Sequence, residues 1–355
     1  MRQMDDGFSI KDWGMDGVPP IDGDPFELAR SSCLQAVQLA RDVSFDEEAL
    51  ERFAGQLDAV TVRDVMKGHM GENCGIVAGD FRGARDAANF ALSFGLLQFG
   101  HGFRYELHRL CGRGASKTIT QGVGALSAGG GLSAVRLRDI TTAEIRQVFQ
   151  LPSDDALNDL VMQLHTVLQQ AGTVLQTLCM DDFDAFCRQI LKNHEATHHP
   201  AAALVRELAN RFPAFNDQGL LHNGSRVVLL KKATLAVGEL NRLAGPHDPS
   251  YVMSQDLYRA IAPVDNVVPA MLVYHGVFRL SPPLYGLIHE QRRPLERGPR
   301  EAELRALSLV ACERIVAAAG YAFTALELGY YLWLSGKAPG ARQFARHHTK
   351  DTVFY

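Results

Sequence analysis

Residues 153–175, SDDALNDLVMQLHTVLQQAGTVL, decide the fold class. The apolar residues Leu157, Leu160, Val161, Leu164, Val167, Leu168 and Leu175 recur at spacings of three and four, which is the period of one helix face. Ser153, Asp154 and Asp155 put a cap and negative charge at the start, where orphan N–H groups and the helix dipole favour both. The same grammar recurs outward from this segment. Asp24 is a cap, Pro25 fits the first helical position, and Glu27 stands where a capping box wants it. An apolar stripe of Leu28, Cys33, Ala36, Val37 and Leu39 follows. Pro200 and Pro299 read as first-turn prolines, and Gly245 ends the segment that holds Lys231 and Lys232. Alternating strand patterns are few and short, the best being Phe278–Leu280 and 134–137. The chain therefore reads as mainly α, a compact helical domain over 24–355 preceded by an extended, Gly-, Asp- and Pro-rich arm over 1–23.

With 355 residues, 46% hydrophobic and 21% charged, the composition is that of a globular protein rather than a disordered one. A net charge of −4 leaves no global basic field of the kind that grips long nucleic acid through many phosphates. A small anionic ligand needs only a few local cations. Six cysteines are scattered without a C-x-x-C pair, which points to reduced core thiols. No membrane span and no secretory leader is legible, so the expected compartment is the cytoplasm. The segment 122–133, GVGALSAGGGLS, contains five glycines and is expected to be a mobile loop, either a lid or a plain surface connection. It lacks the phosphate-loop pattern, a Gly-rich turn feeding a helix with Lys and Ser/Thr in the right places.

Several polar residues sit beside apolar segments. Asp265 follows Pro263 and precedes Asn266 and the apolar run 267–272, with Pro269 signalling a helix start. It reads as a helix cap or as a carboxylate held for chemistry. Asp217, in FPAFNDQG, is a turn residue or a carboxylate at the edge of an aromatic wall. Lys231 and Lys232 lie in an apolar helix and diverge by about 100°, so one is expected to reach a pocket and the other to be solvated. Asp86 and Asn89 share a helix face in DAANF, next to Phe90, Phe94 and Phe99, a set suited to stacking and edge-reading of a purine-like base or to an ordinary aromatic core. Glu301 and Arg305 form an i,i+4 ion pair, with Glu303 directed elsewhere. The histidine pairs 198–199 and 347–348 lack a spaced third ligand, so no metal is expected.

Taken in order, these blocks resemble the queuosine salvage protein family from about Gly71 onward. DAANF, the segment 98–120 (QFGHGFRYELHRLCGRGASKTIT), LRDITTAEIRQVFQLP, FPAFNDQ, LLKKATLAVGEL, VDNVVPAML, ERGPREAELRA, GYYLWLSG and HHTKDTVFY are each similar to a family block. Lys232 stands where Arg is usual, Thr234 where Gln is usual, and Gly329 where an acidic residue often precedes Tyr-Leu-Trp. The resemblance implies a fold similar to helix-hairpin-helix DNA glycosylases. It also implies hydrolysis of the N-glycosidic bond of queuosine 5′-monophosphate, releasing queuine for salvage into tRNA without a cofactor. Carried onto this chain, it makes Asp265 the sugar-side carboxylate and Asp217 the second carboxylate. Lys231 and Lys232 become phosphate-binding candidates, and Asn89, Phe90, Phe99 and Asp86 contacts to the base. The expected partner is a small modified nucleotide, with no membrane, no stable nucleic acid complex and a monomeric protein. The alternatives are a non-catalytic binder of a modified nucleoside or RNA, or a glycosylase acting on another nucleotide or on DNA.

Overall fold

A computed structural model describes residues 13–72, 76–129, 131–194 and 197–355. Helices dominate it, and the strands are three residues each. Val43–Phe45 pairs antiparallel with Phe278–Leu280, and Gln218–Leu220 with Arg226–Val228. Among the described residues no helix is long and apolar enough to cross a membrane.

The apolar stripe from Leu157 to Leu175 lies along the helix Asn158–Thr177, entered through the short 3₁₀ turn Asp155–Leu157. Asp154 caps that turn by accepting from the Ala156 N–H at 2.9 Å. Leu157, Leu164, Leu168 and Leu175 are fully buried, as the three-and-four spacing requires. Asp24 caps Pro25–Leu39 through the N–H groups of Phe26 and Glu27, whereas Glu27 turns its carboxylate to Arg30 and Arg259 instead of closing a capping box. Pro200 and Pro299 open Pro200–Arg211 and Pro299–Ala318.

Two local expectations are overturned. Residues 134–137 belong to the helix Ala134–Asp139, capped by Ser133, and not to a strand. That helix lies so close to the long one that a Cβ on Gly172 would meet the Ala134 carbonyl oxygen at 2.5 Å. The glycine-rich stretch is also helical, since Ala115–Ala128 runs through most of it. Gly122 leaves a notch filled by Phe149, whose Cδ1 lies 2.1 Å from where a Cβ would stand. Ring packing into that notch outweighs glycine's modest helix penalty of about 1 kcal/mol.

The described part of the arm is docked. Trp13 and Ile21 are buried, and Asn210 brackets the Ile21 backbone by accepting its N–H (2.6 Å) and donating to its carbonyl (2.9 Å).

The helices Ala84–Leu96 and Lys231–Ala244 form the closest pair. Gly95 allows their backbones to touch, because a Cβ there would lie 2.5 Å from the Cβ of Ala236. This contact sets the C-terminal end of the first helix against the start of the second. Lys232 donates to the Leu96 carbonyl at 2.7 Å, and Lys231 to the Gln98 carbonyl at 2.7 Å. Carbonyls at a helix C-terminus are orphan acceptors that favour cations. Both lysines are therefore buried, and the expectation that one is solvated fails: the facing chain wraps far enough to supply a carbonyl to each.

Candidate functional site

Two cavity lobes meet beside Lys231. The first is mainly apolar and aromatic, with Phe90, Phe94, Tyr330, Trp333 and Leu235 on its walls. Phe90 and Phe94 stack at 5.8 Å between ring centroids. Away from Lys231 its polar residues are Glu239 and Arg242. Glu239 accepts from the Tyr330 hydroxyl at 2.9 Å and from Arg242 at 2.5 Å. The second lobe, about 730 Å³ and open to solvent, carries Arg104, Lys117, Lys337, Arg342 and Arg346. Gln98, Lys231, Asp265 and Trp333 line both lobes and so form their junction.

The junction is electrostatically uneven. Asp265 Oδ1 accepts from the N–H groups of Val267 (2.7 Å) and Val268 (3.3 Å), so the residue does cap the helix Val267–Tyr274. Its Oδ2 has no hydrogen-bond partner among the described residues, and the side chain is half-buried. One residue thus holds both of its sequence readings, one oxygen for each. Burial pushes the Lys231 ammonium down to about 8, with Asp265 pulling in the opposite direction. Burial and then Arg104 lower Arg346 to about 10, again opposed by Asp265. Arg104 is lowered by burial and, among its neighbours, by Arg342. Among the described residues none of Arg104, Arg342 and Arg346 is ion-paired to a carboxylate. Cations that repel one another, offset in part by Asp265, make the second lobe suited to an anion.

The remaining expected residues are distributed as follows. Phe90 lines the aromatic lobe, and Phe99 the cationic one. Lys232 lies behind the wall over the Phe99 ring, 5.0 Å from its centroid, and lines neither lobe. Asn89 is buried with its Oδ1 accepting from the Asp184 N–H at 3.1 Å, a packing role away from the cavity. Asp86 is exposed in the first turn of Ala84–Leu96 and lines neither lobe. A three-residue spacing shares a face only loosely, and here the Asn89 face went to the first turn of the helix Phe183–Asn193.

Asp217 is 1% exposed, at neither lobe's wall, which overturns its expected position at a cleft rim. Its two carboxylate oxygens accept from Arg305 at 3.1 and 2.5 Å. Arg305 also donates to Glu301 at 3.1 Å, the expected i,i+4 pair. Glu303 turns away, as expected, and gathers the N–H groups of Arg41, Asp42 and Val43. With Asp42 and His222 it makes the acidic cluster among the described residues whose spacing would admit a metal. Its oxygens are already occupied by these bonds, and Asp42 accepts from Ser281 and Arg300.

Sequence reasoning missed Gln98, Glu239, Tyr330, Trp333 and the arginines. Two signals were present: Glu239 and Arg242 are three apart in a single helix, as are Tyr330 and Trp333. The Gln98 side-chain nitrogen is buried without a partner among the described residues, at the junction itself.

Comparison with known proteins bears on this cavity. The family model described as queuosine salvage protein matches residues 125–355. A queuosine 5′-phosphate N-glycosylase/hydrolase of Sphaerobacter thermophilus is 28% identical over 223 residues, covering 62% of this chain and 64% of that relative. The chain thus spans just under two thirds of that relative's length. The DAANF block and most of 98–125 precede the matched region, whereas Lys231, Asp265, Trp333 and Arg346 fall inside it.

Proposed function

The chain belongs to the queuosine salvage protein family, and from that premise we propose that it hydrolyses the N-glycosidic bond of queuosine 5′-monophosphate to queuine and ribose 5-phosphate. The observation that carries the reading is the junction itself. An aromatic lobe, a carboxylate with one unspent oxygen and a cationic lobe offset in part by that carboxylate meet there, which supports a reading with base, sugar and phosphate in that order.

In this reading the base stacks among Phe90, Phe94 and Trp333. The 5′-phosphate lies among Arg104, Arg342 and Arg346 and adds to the counter-charge that Asp265 supplies in part. C1′ then falls beside Asp265. As the C1′–N bond breaks, positive charge develops on the ribose ring and negative charge on the base. Asp265 Oδ2 stabilises the first and orients the attacking water, whose oxygen bonds to C1′. One water proton ends on the base nitrogen that leaves. Queuine is a 7-deazaguanine without a basic N7, so protonation of that atom cannot assist departure. The load therefore falls on the sugar-side carboxylate. Lys231 supplies positive charge between sugar and phosphate, and the phosphate contacts hold the ribose in a reactive position.

The test is incubation of the protein with queuosine 5′-monophosphate, followed by chromatography for queuine and ribose 5-phosphate. Equimolar release of both is expected. Binding of the nucleotide with no queuine formed would refute the assignment and leave a binding protein.

A further inference from the structure

Asp217 and Arg305 touch neither lobe, yet two of the four junction residues, Asp265 and Lys231, are tied to them. The Arg305 guanidinium donates to the Val264 carbonyl from Nε at 3.2 Å and from the second nitrogen at 3.1 Å. Val264 immediately precedes Asp265. The same guanidinium is held by both oxygens of Asp217. Asp217 in turn accepts, through its main-chain carbonyl, the N–H groups of Leu229 (2.9 Å) and Leu230 (3.2 Å). Leu230 immediately precedes Lys231 and has a φ of 47°, a left-handed conformation that a leucine adopts only when its surroundings hold it there.

From this geometry we infer that the buried Asp217–Arg305 pair is a positioning device that sets the separation and orientation of the Asp265 carboxylate and the Lys231 ammonium. One arm of the device runs from the guanidinium through a peptide carbonyl to Asp265. The other runs from the Asp217 carbonyl through a strained turn to Lys231. Arginine is required because a planar fork can grip a carboxylate and a carbonyl together, whereas a lysine ammonium cannot reproduce both sets of bonds. The inference rests on the reading of Asp265 as the sugar-side carboxylate.

The experiment compares the full chain with Arg305→Lys, Asp217→Asn and Asp265→Asn. It measures kcat and KM for queuosine 5′-monophosphate, the folded fraction by circular dichroism, and the pH profile of kcat/KM. For Arg305→Lys, kcat per folded molecule is expected to fall by about 100-fold, the cost of misplacing reacting groups by about 1 Å. KM should change less than about threefold, because the phosphate and base contacts stay in place. Asp217→Asn keeps the shape and one acceptor, so a loss of about tenfold is expected, together with a displaced alkaline limb as the Lys231 environment changes. If kcat per folded molecule is unchanged in both variants, the pair is only structural and the inference is overturned. Should Asp265→Asn retain full activity, the underlying assignment of Asp265 falls, and the positioning role with it. Loss in Asp265→Asn with wild-type kcat in Arg305→Lys would sink the positioning role alone.

Discussion

Asp217 and Asp265 look alike in the sequence, each an aspartate in a turn before an apolar segment, but they end in opposite conditions. Asp217 is saturated: its two oxygens are taken by one guanidinium and almost none of it meets solvent. Asp265 spends one oxygen on two backbone N–H groups and keeps the other at a cavity junction. With Asp265 read as the proposed sugar-side carboxylate, what sets it apart from the structural Asp217 is an acceptor left without a donor in a place a ligand can reach.

The sharpest way to break this contrast is to cross the two residues. Asp265→Asn is expected to lower kcat by about 10³-fold with stability changed by less than about 1 kcal/mol, in line with loss of a single electrostatic catalytic group. Asp217→Ala is expected to destabilise the fold by about 3–5 kcal/mol, because it leaves a buried guanidinium without its main partner. Steady-state kinetics and denaturant unfolding on both variants check the pair, and equal behaviour of the two would dissolve the distinction.

A smaller effect concerns pH. Lys231 titrates near 8 in the folded chain, below its usual value of 10.5, because burial disfavours the ammonium. Between these two values the unfolded chain binds the additional proton, so this residue makes stability rise as pH increases through about 8 to 10.5. Activity should move the other way. The ammonium is lost above about 8, so kcat/KM is expected to have an alkaline limb near that value, and Lys231→Arg should push the limb to higher pH. A flat profile from 7 to 10 would detach Lys231 from the reaction.

The gentlest perturbation moves Asp265 without touching Asp217. A Cβ on Gly329 would stand 2.7 Å from Cδ of Pro263, two residues before Asp265. Gly329→Ala is expected to cost about tenfold in kcat and about 1–3 kcal/mol in stability, by overpacking. A larger loss of stability than of rate, in kinetics run beside thermal unfolding, would argue that this contact serves the core alone.

The sequence made the helices legible wherever the period was long and the cap explicit, as at Asp24, Asp154, Pro200 and Pro299. It failed where packing outvoted local preference. The glycines of 122–128 are helical because Phe149 needs the space one of them leaves, and nothing near residue 122 announces a ring from residue 149. Asp265 and Lys231 were legible because each carries an ionisable group at the border of an apolar segment. The pairing of Asp217 with Arg305 spans 88 positions and leaves no spacing signal. The cationic lobe is scattered likewise, with Arg104 distant in the chain from Arg342 and Arg346. Asn89 misled because an amide on a buried face is equally able to hold the first turn of a neighbouring helix.

The chain has two tryptophans, and they occupy different surroundings: Trp13 is buried in the docked arm, while Trp333 lines both lobes with a lysine ammonium 3.3 Å from its ring centroid. An incoming purine-like ring would stack against one indole and leave the other undisturbed. The molecule thus carries its own optical gauge of occupancy, with an internal standard, and a simple emission titration reads ligand arrival separately from turnover.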